Sequence, residues 1–248
     1  MADLYNLLAW TEFDTGRTRQ ARRHFAVAAE LAAESGNADL ASNIFYRLGR
    51  LHLHHGHVTD ALAQFDRGQD AARRAGSSHA QAILSANQAW AHAMQADQAA
   101  ALRDLNRAEE AFATAAGSAA PWAVFFDAND LAAMTGTVHI ELARTVDTGH
   151  AARAIPSLAV AVAGYGPQMT RSLSLTQILL ALGHALEHNF DDARRVGTEA
   201  LRTAGTVRSV RTADRLRPLA AAVRDGSPDA AGRDLIELIR AFRERPFP

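Results

Sequence analysis

The chain has 248 residues, a formal net charge of −1, a pI near 6.8 and no cysteine. The missing cysteine excludes disulfides, thiol nucleophiles, Cys-ligated zinc and iron–sulfur clusters, and the balanced charge gives the whole molecule no field that would draw it to nucleic acid. Apolar residues make up 48% of the chain but aromatics only 6%, an alanine-dominated profile that favours close-packed helices over sheets.

No apolar run reaches the roughly 18 residues of a membrane span, and the N-terminal MADLYNLLAW has neither a charged leader region nor a cleavage site. The expectation is a cytoplasmic protein with no membrane partner. Taken from the start, the chain repeats itself. Residues 15–28 (TGRTRQARRHFAVA) superimpose on 55–68 (HGHVTDALAQFDRG), aligning Gly16 with Gly56, Ala21 with Ala61 and Phe25 with Phe65, each pair 40 positions apart. A turn glycine, an alanine five residues on and a bulky apolar residue four further resembles the tetratricopeptide pattern.

Helix start and stop signals divide the chain into pairs. The first covers 3–14 and 18–34 and is closed by Ser35-Gly36-Asn37; the second covers 38–55 and 58–75 and ends at Gly76. A third, 79–95 and 98–115, keeps the spacing through Ala101 and Leu105, with Ala96 where Gly16 and Gly56 stood. Residues 117–121 interrupt the pattern, and Pro121 suits the first turn of a helix over 122–146, kinked near Thr135-Gly136. Its partner, 150–163, carries Ala154 and Leu158 at the repeat spacing, and Pro156 predicts a kink or a late start there. After the 164–167 loop come 170–187 and 191–204, with Ala193 and Ala200 at the small packing positions. The last pair, 207–224 and 229–243, is split by residues 225–228 and ends in a stripe of Leu235, Ile236, Ile239 and Phe242 that suits the end of a core. The reading is an all-α, tetratricopeptide-like solenoid of six antiparallel helix pairs in a right-handed superhelix. It forms one domain over 1–248, with repeats at about 3–36, 38–76, 79–116, 121–164, 168–205 and 207–245.

In such a superhelix the first helix of each pair lines the concave side. The 40-residue register aligns Asn6, Trp10 and Asp14 with Tyr46, Arg50 and His54, and with Ala86, Trp90 and Met94. An amide there bonds a ligand's peptide groups, Arg50 forks onto a carboxylate, and Trp10, Tyr46 and Trp90 supply flat apolar area. Trp122, Phe125, Phe126, Asp127 and Asp130 read first as an aromatic plug on the long first helix of the fourth pair, with Phe126, Asp127 and Asp130 as further groove candidates. The expected partner is a peptide, small molecule or protein in the concave groove, and a homodimer is possible.

Histidines cluster at His52, His54, His55 and His57, and His184 with His188 share a helical face. No H-E-x-x-H stands in the chain, and His52, His92 and His184 occupy one repeat position where an aromatic packs, so packing is the expectation and no metal is assigned. Neither G-x-S-x-G, G-x-x-x-x-G-K nor a dinucleotide fingerprint occurs, so no catalytic residue, cofactor or enzymatic activity is expected. Arg194, Arg195, Arg202, Arg208, Arg211, Arg215 and Arg217 alternate with Asp191, Asp192, Glu199 and Asp214, the pattern of a solvated face.

The blocks WAVFFDANDLAAMTG (122–136), ARAIPSLAVAV (152–162) and the run from Thr170 to Leu216, together with the opening LLAWTEFDTGRTRQARRHFAVAAELAAESGN, resemble the tetratricopeptide region of actinobacterial helix-turn-helix transcriptional regulators. The likeness spans essentially the whole chain; Trp-x-x-Phe-Phe-Asp and Val207-Arg208-Ser209-x-Arg211 are its most distinctive parts. Members of that family usually begin with a DNA-binding domain, whereas this chain opens in the repeats. The resemblance therefore implies a ligand- or peptide-sensing, protein-interacting module without its own DNA reader; the alternative is a stand-alone scaffold that holds a protein partner without switching.

Overall fold

The structure, a computed structural model, describes residues 1–115, 120–206, 210–226 and 228–244. Among the described residues there are twelve α-helices, one 3₁₀ turn and no strand, and the helices pack in adjacent pairs. None is long and apolar enough to cross a membrane. The chain falls into two compact units, Met1–Asp127 and Ala128–Pro248.

The first unit holds α1 (Ala2–Asp14), α2 (Thr18–Glu34), α3 (Ala38–His54), α4 (Val58–Arg74), α5 (Ser78–Met94) and α6 (Gln98–Thr114). Helices α2 to α6 are each 17 residues long, and equivalent helices begin and end 40 positions apart, as the sequence period requires. The turn inside each pair sets that period. Gly16, Gly56 and Ala96 take left-handed φ values of 80°, 75° and 59°, and the N–H groups of Arg17, His57 and Asp97 reach back to the carbonyls of Glu12, His52 and His92 at 2.8, 3.0 and 3.0 Å. This closure satisfies carbonyls that a helix end leaves open. Asn37, Ser77 and Asp97 then cap the next helix, each side chain accepting a bond from the N–H three residues on.

Within a pair, contact is made by a small residue against a large one. Ala21, Phe25, Ala61, Phe65 and Ala101 are wholly buried. The Phe65 ring lies so close to α3 that a Cβ on Gly49 would sit 2.2 Å from it, and a Cβ on Gly68 would sit 2.7 Å from Leu84 of α5. The glycines thus govern approach both within a pair and between pairs.

After α6 the chain departs from expectation. Pro121 does not open a helix: residues 121–125 form turns, and the next helix starts only at Ala128. Aromatic anchors outweigh helix propensity here. The Trp122 indole N–H donates to Asp39 at the start of α3 (3.1 Å), and His79 at the start of α5 donates to the Phe126 carbonyl (2.8 Å).

The second unit holds α7 (Ala128–Thr145), α8 (His150–Gly164), α9 (Thr170–Leu186), α10 (Phe190–Ala204), α11 (Val210–Asp225) and α12 (Ala230–Glu244). Helix α7 runs through Thr135-Gly136, and Gly136 is explained by packing, since a Cβ there would lie 2.4 Å from Leu158. Helix α8 begins at His150 as expected and carries Pro156 inside it, so there is no late start. The α9–α10 turn repeats the device of the first unit, with His188 at φ 56° and Asn189 N–H on the His184 carbonyl at 2.9 Å. Ala193 and Ala200 are buried, as are Leu235 and Ile239 of the terminal stripe, with Ile236 and Phe242 packed beside them. The last pair stacks in parallel rows, α11 on α9 and α12 on α10. Arg195, Arg202 and Arg217 are exposed and paired with Asp192, Glu199 and Asp214, so these members of the basic stretch form a solvated face, while Arg208 and the Arg211 side chain lie outside the described residues. Residues 207–209, with most of the Val207-Arg208-Ser209 motif, lie outside the described residues, as do 116–119 of the first interruption.

Two outcomes follow from these contacts. Gly49→Ala and Ala61→Leu each lower unfolding free energy by about 1–3 kcal/mol through overpacking, read by urea denaturation, and a neutral result would break the proposed α3–α4 register. Ala96→Gly removes left-handed strain from an alanine and raises stability by roughly 0.5–1 kcal/mol in the same assay.

Candidate functional site

The first-helix face of residues 1–127, built by α1, α3 and α5, gathers most of the residues singled out in the sequence. Helix α3 supplies Tyr46, Arg47 and Arg50, which share one face because a turn of helix is about 3.6 residues. The Arg50 Cζ stands 6.0 Å from the Tyr46 ring centroid and 5.1 Å from that of Trp90. Its Nη1 donates to Asn87 Oδ1 at 3.3 Å, and Asn87 is oriented by donating its own Nδ2 to the Ile83 carbonyl at 2.7 Å. One turn away, the Arg47 Cζ lies 5.4 Å over Trp10 while its Nη1 donates to the Asn6 carbonyl at 3.3 Å. Burial lowers the Arg47 pKa from its ordinary value, opposed by Tyr46, Asp3 and Asp14; a guanidinium stays charged under such a shift. Among the described residues, no carboxylate lies within ion-pair distance of Arg47 or Arg50. The site therefore consists of two guanidiniums laid on aromatic faces with charge left for an anion.

The remaining candidates take different places. Asn6 is interior, not groove-lining: it is wholly buried and donates to Asn43 Oδ1 at 2.6 Å, because the α1–α3 contact closes over it. Tyr46 and Trp90 are also largely covered, at 6% and 7% exposure. Tyr46 is covered by the Trp122 and Phe125 rings, each stacked with a centroid distance of 6.1 Å. Asp14, His54 and Met94 are the last residues of α1, α3 and α5 and are half-buried, with His54 edge-on to Phe13 at 5.3 Å. Phe126 is a packing residue, 3% exposed and set against His79 and Phe112. Asp130 belongs to the other unit, where it accepts the Tyr165 hydroxyl at 3.2 Å. Thus Tyr46, Arg50 and Trp90 are brought together, Trp10 joins Arg47, Asn6 takes part only through its backbone carbonyl, and Phe126 and Asp130 stand apart.

Comparison with protein-family models gives no match, and comparison with curated proteins gives none either.

Arg47, Asn87 and the stacking of Trp122 on Tyr46 escape a reading confined to the four-residue step of the register. Arg47 is the neighbour of Tyr46 and within the width of an apolar-and-polar helix face; Asn87 lies 37 positions from Arg50. On the second-helix side, a depression of about 750 Å³ runs between α2 and α4 over α3, floored by alanines such as Ala29 and Ala41 and rimmed by Glu30, Arg67 and Arg74.

The histidines at the shared repeat position face acids of the following helix: His52 meets Asp60 at 3.7 Å and His92 meets Asp104 at 3.5 Å, and in the first repeat Glu12 meets His24 at 2.7 Å with the charges reversed. Burial raises the Asp104 carboxyl above its usual range, against Arg107 and His92. Among the described residues no group of three or more His, Cys, Asp or Glu could hold a metal ion.

In the second unit His139 and His150 meet through Nδ1 atoms 3.0 Å apart, their rings stacked at 5.3 Å. Such a bond needs a proton on one Nδ1 and none on the other, so the two rings are not both cationic. Burial, then His150 and Arg153, lower the His139 pKa to about 4 from 6.5; burial and Arg153 lower that of His150, opposed by Asp147. Between pH 6.5 and about 4 the unfolded chain binds more protons than the folded one, so this contribution is complete above 6.5 and lost as pH falls through that window. Unfolding midpoints measured across it should fall less steeply for His139→Gln than for the wild type; parallel curves would show that the pair does not titrate in this way.

Proposed function

We propose that this chain is the ligand- or peptide-sensing module of a cytoplasmic transcriptional regulator, and that it takes up an acidic or carboxylate-terminated peptide on the first-helix face of residues 1–127. The observation that carries this reading is the pair of aromatic-backed guanidiniums of Arg47 and Arg50, neither in an ion pair with a described residue. A guanidinium fixed by a ring and one amide keeps its remaining donors in a fork that matches a carboxylate, and loses little side-chain entropy on binding. Tyr46 and Trp90, at 6% and 7% exposure, back the Arg50 guanidinium and hold it in place. The regulator context rests on the resemblance of Trp-x-x-Phe-Phe-Asp and the surrounding blocks. A signal that binds one shape of the repeats better than another shifts the population between them, and the size of that shift is set by the difference in affinity.

The test is a display library of eight-residue peptides with free C-termini, selected on the full chain. A selected peptide should lose affinity by about tenfold or more on Arg50→Ala, and again when its C-terminus is amidated, the cost of about 1.4 kcal/mol or more expected for a charge-assisted pair. The melting temperature of Arg50→Ala should stay close to that of the wild type. Intact binding with a large fall in stability would make Arg50 a structural residue and remove the reading.

A further inference from the structure

Residues 121–126 occupy the very surface on which a ligand would bind. The Trp122 ring stacks on Tyr46 with an interplanar angle of 26°, the Phe125 ring stacks on the same residue at 25°, and the Trp122 N–H is held by the Asp39 carboxylate at 3.1 Å. Between the two rings this strap buries Ala123 completely. Its own backbone bonds are two local turns, Ala123 N–H to the Ala120 carbonyl and Phe126 N–H to the Ala123 carbonyl. Val124 and Phe125 are 65% and 41% exposed, whereas Phe126 is 3% exposed and pinned by His79. The strap is thus fixed at Ala123 and Phe126, and its Trp122 and Phe125 rings lie against Tyr46 while Val124 and Phe125 stay open to solvent.

We infer that this strap is a built-in occupant of the first-helix face, and that the peptide taken up beside Arg50 displaces it with an aromatic N–H or O–H side chain of its own. The inference rests on the function proposed above and specifies its ligand. The strap shows what the surface accepts: a flat ring against Tyr46 and a donor to Asp39. Arg50 lies one turn further along α3, about 6 Å away, a distance that an extended peptide covers in roughly two residues. The partner is therefore a segment with Trp or Tyr placed about two residues before an acidic side chain or a terminal carboxylate. Because the occupant is tethered, the apparent affinity for a free peptide is reduced by the fraction of molecules in which the strap is down.

The strap's own sequence is the probe. A labelled synthetic peptide of residues 120–127, Ala-Pro-Trp-Ala-Val-Phe-Phe-Asp, is titrated by fluorescence anisotropy against the full wild-type chain and against Trp122→Ala/Phe125→Ala. The double variant should bind it at least about tenfold more tightly than the wild type, and adding Tyr46→Ala to the double variant should abolish that gain. Equal affinity for the two proteins, no binding by the double variant, or binding indifferent to Tyr46→Ala would each overturn the inference. If circular dichroism shows the double variant unfolded, Phe125→Ala alone, at its half-exposed position, carries the same comparison. Arg50-dependent binding of library peptides with no gain on emptying the strap would remove the inference and leave the proposed function standing. A strap-peptide gain with no Arg50-dependent peptide would overturn the proposed function and, with it, the ligand inferred here.

Discussion

The architecture of residues 1–127 depends on one contact, the Phe65 ring of α4 set into the space that a missing side chain leaves at Gly49 of α3. A helix pair held this closely has little freedom to rotate, because side chains in a close-packed interior resist displacement. Ala61, one turn before Phe65, and Gly68, which admits Leu84 of the next pair, extend the same restraint along the row. The left-handed turn residues then fix where each second helix begins. Together these features hold equivalent helices at a constant offset, and for that reason Tyr46 and Arg50 of α3 meet Trp90 of α5, from the next repeat, on one face.

The chemistry of that face follows from what arginine does and lysine does not. A planar, weakly hydrated guanidinium lies on an aromatic ring and still presents donors at its edge. Arg50, between Tyr46 and Trp90, and Arg47, over Trp10, both do this. The buried amide of Asn87 orients one of them without neutralising it. Half-burial without a carboxylate partner carries a solvation cost. The His139–His150 pair in the second unit relies on the opposite economy, two imidazoles kept uncharged by burial.

Much of this was legible from residues alone. Gly16, Gly56, Ala21, Ala61, Phe25 and Phe65 announced the period, and helix ends fell within a residue or two in most pairs because start and stop residues act locally. The stretch from Pro121 to Asp127 was misread for a physical reason: its propensities permit a helix, but Asp39 and His79, far away in sequence, capture Trp122 and Phe126. Asn6 was misplaced because the register gives the face of a residue and not how deeply its neighbour covers it. Arg47 and Asn87 were within reach of a wider helix face, while the meeting of His139 with His150 had no periodic trace at all. Gly136 was read as a kink because glycine's low propensity and its use in close approach look identical in a sequence.

The strict 40-residue offset of α2, α4 and α6 has an evolutionary consequence. A unit that ends as it began presents the same joining surface to whatever follows, so an in-frame duplication of one repeat inserts a complete turn, cap and contact set together. The first-helix face would lengthen by one more row of positions while every existing row kept its neighbours, so that its length changes in a single event, ahead of any change in the side chains each row carries.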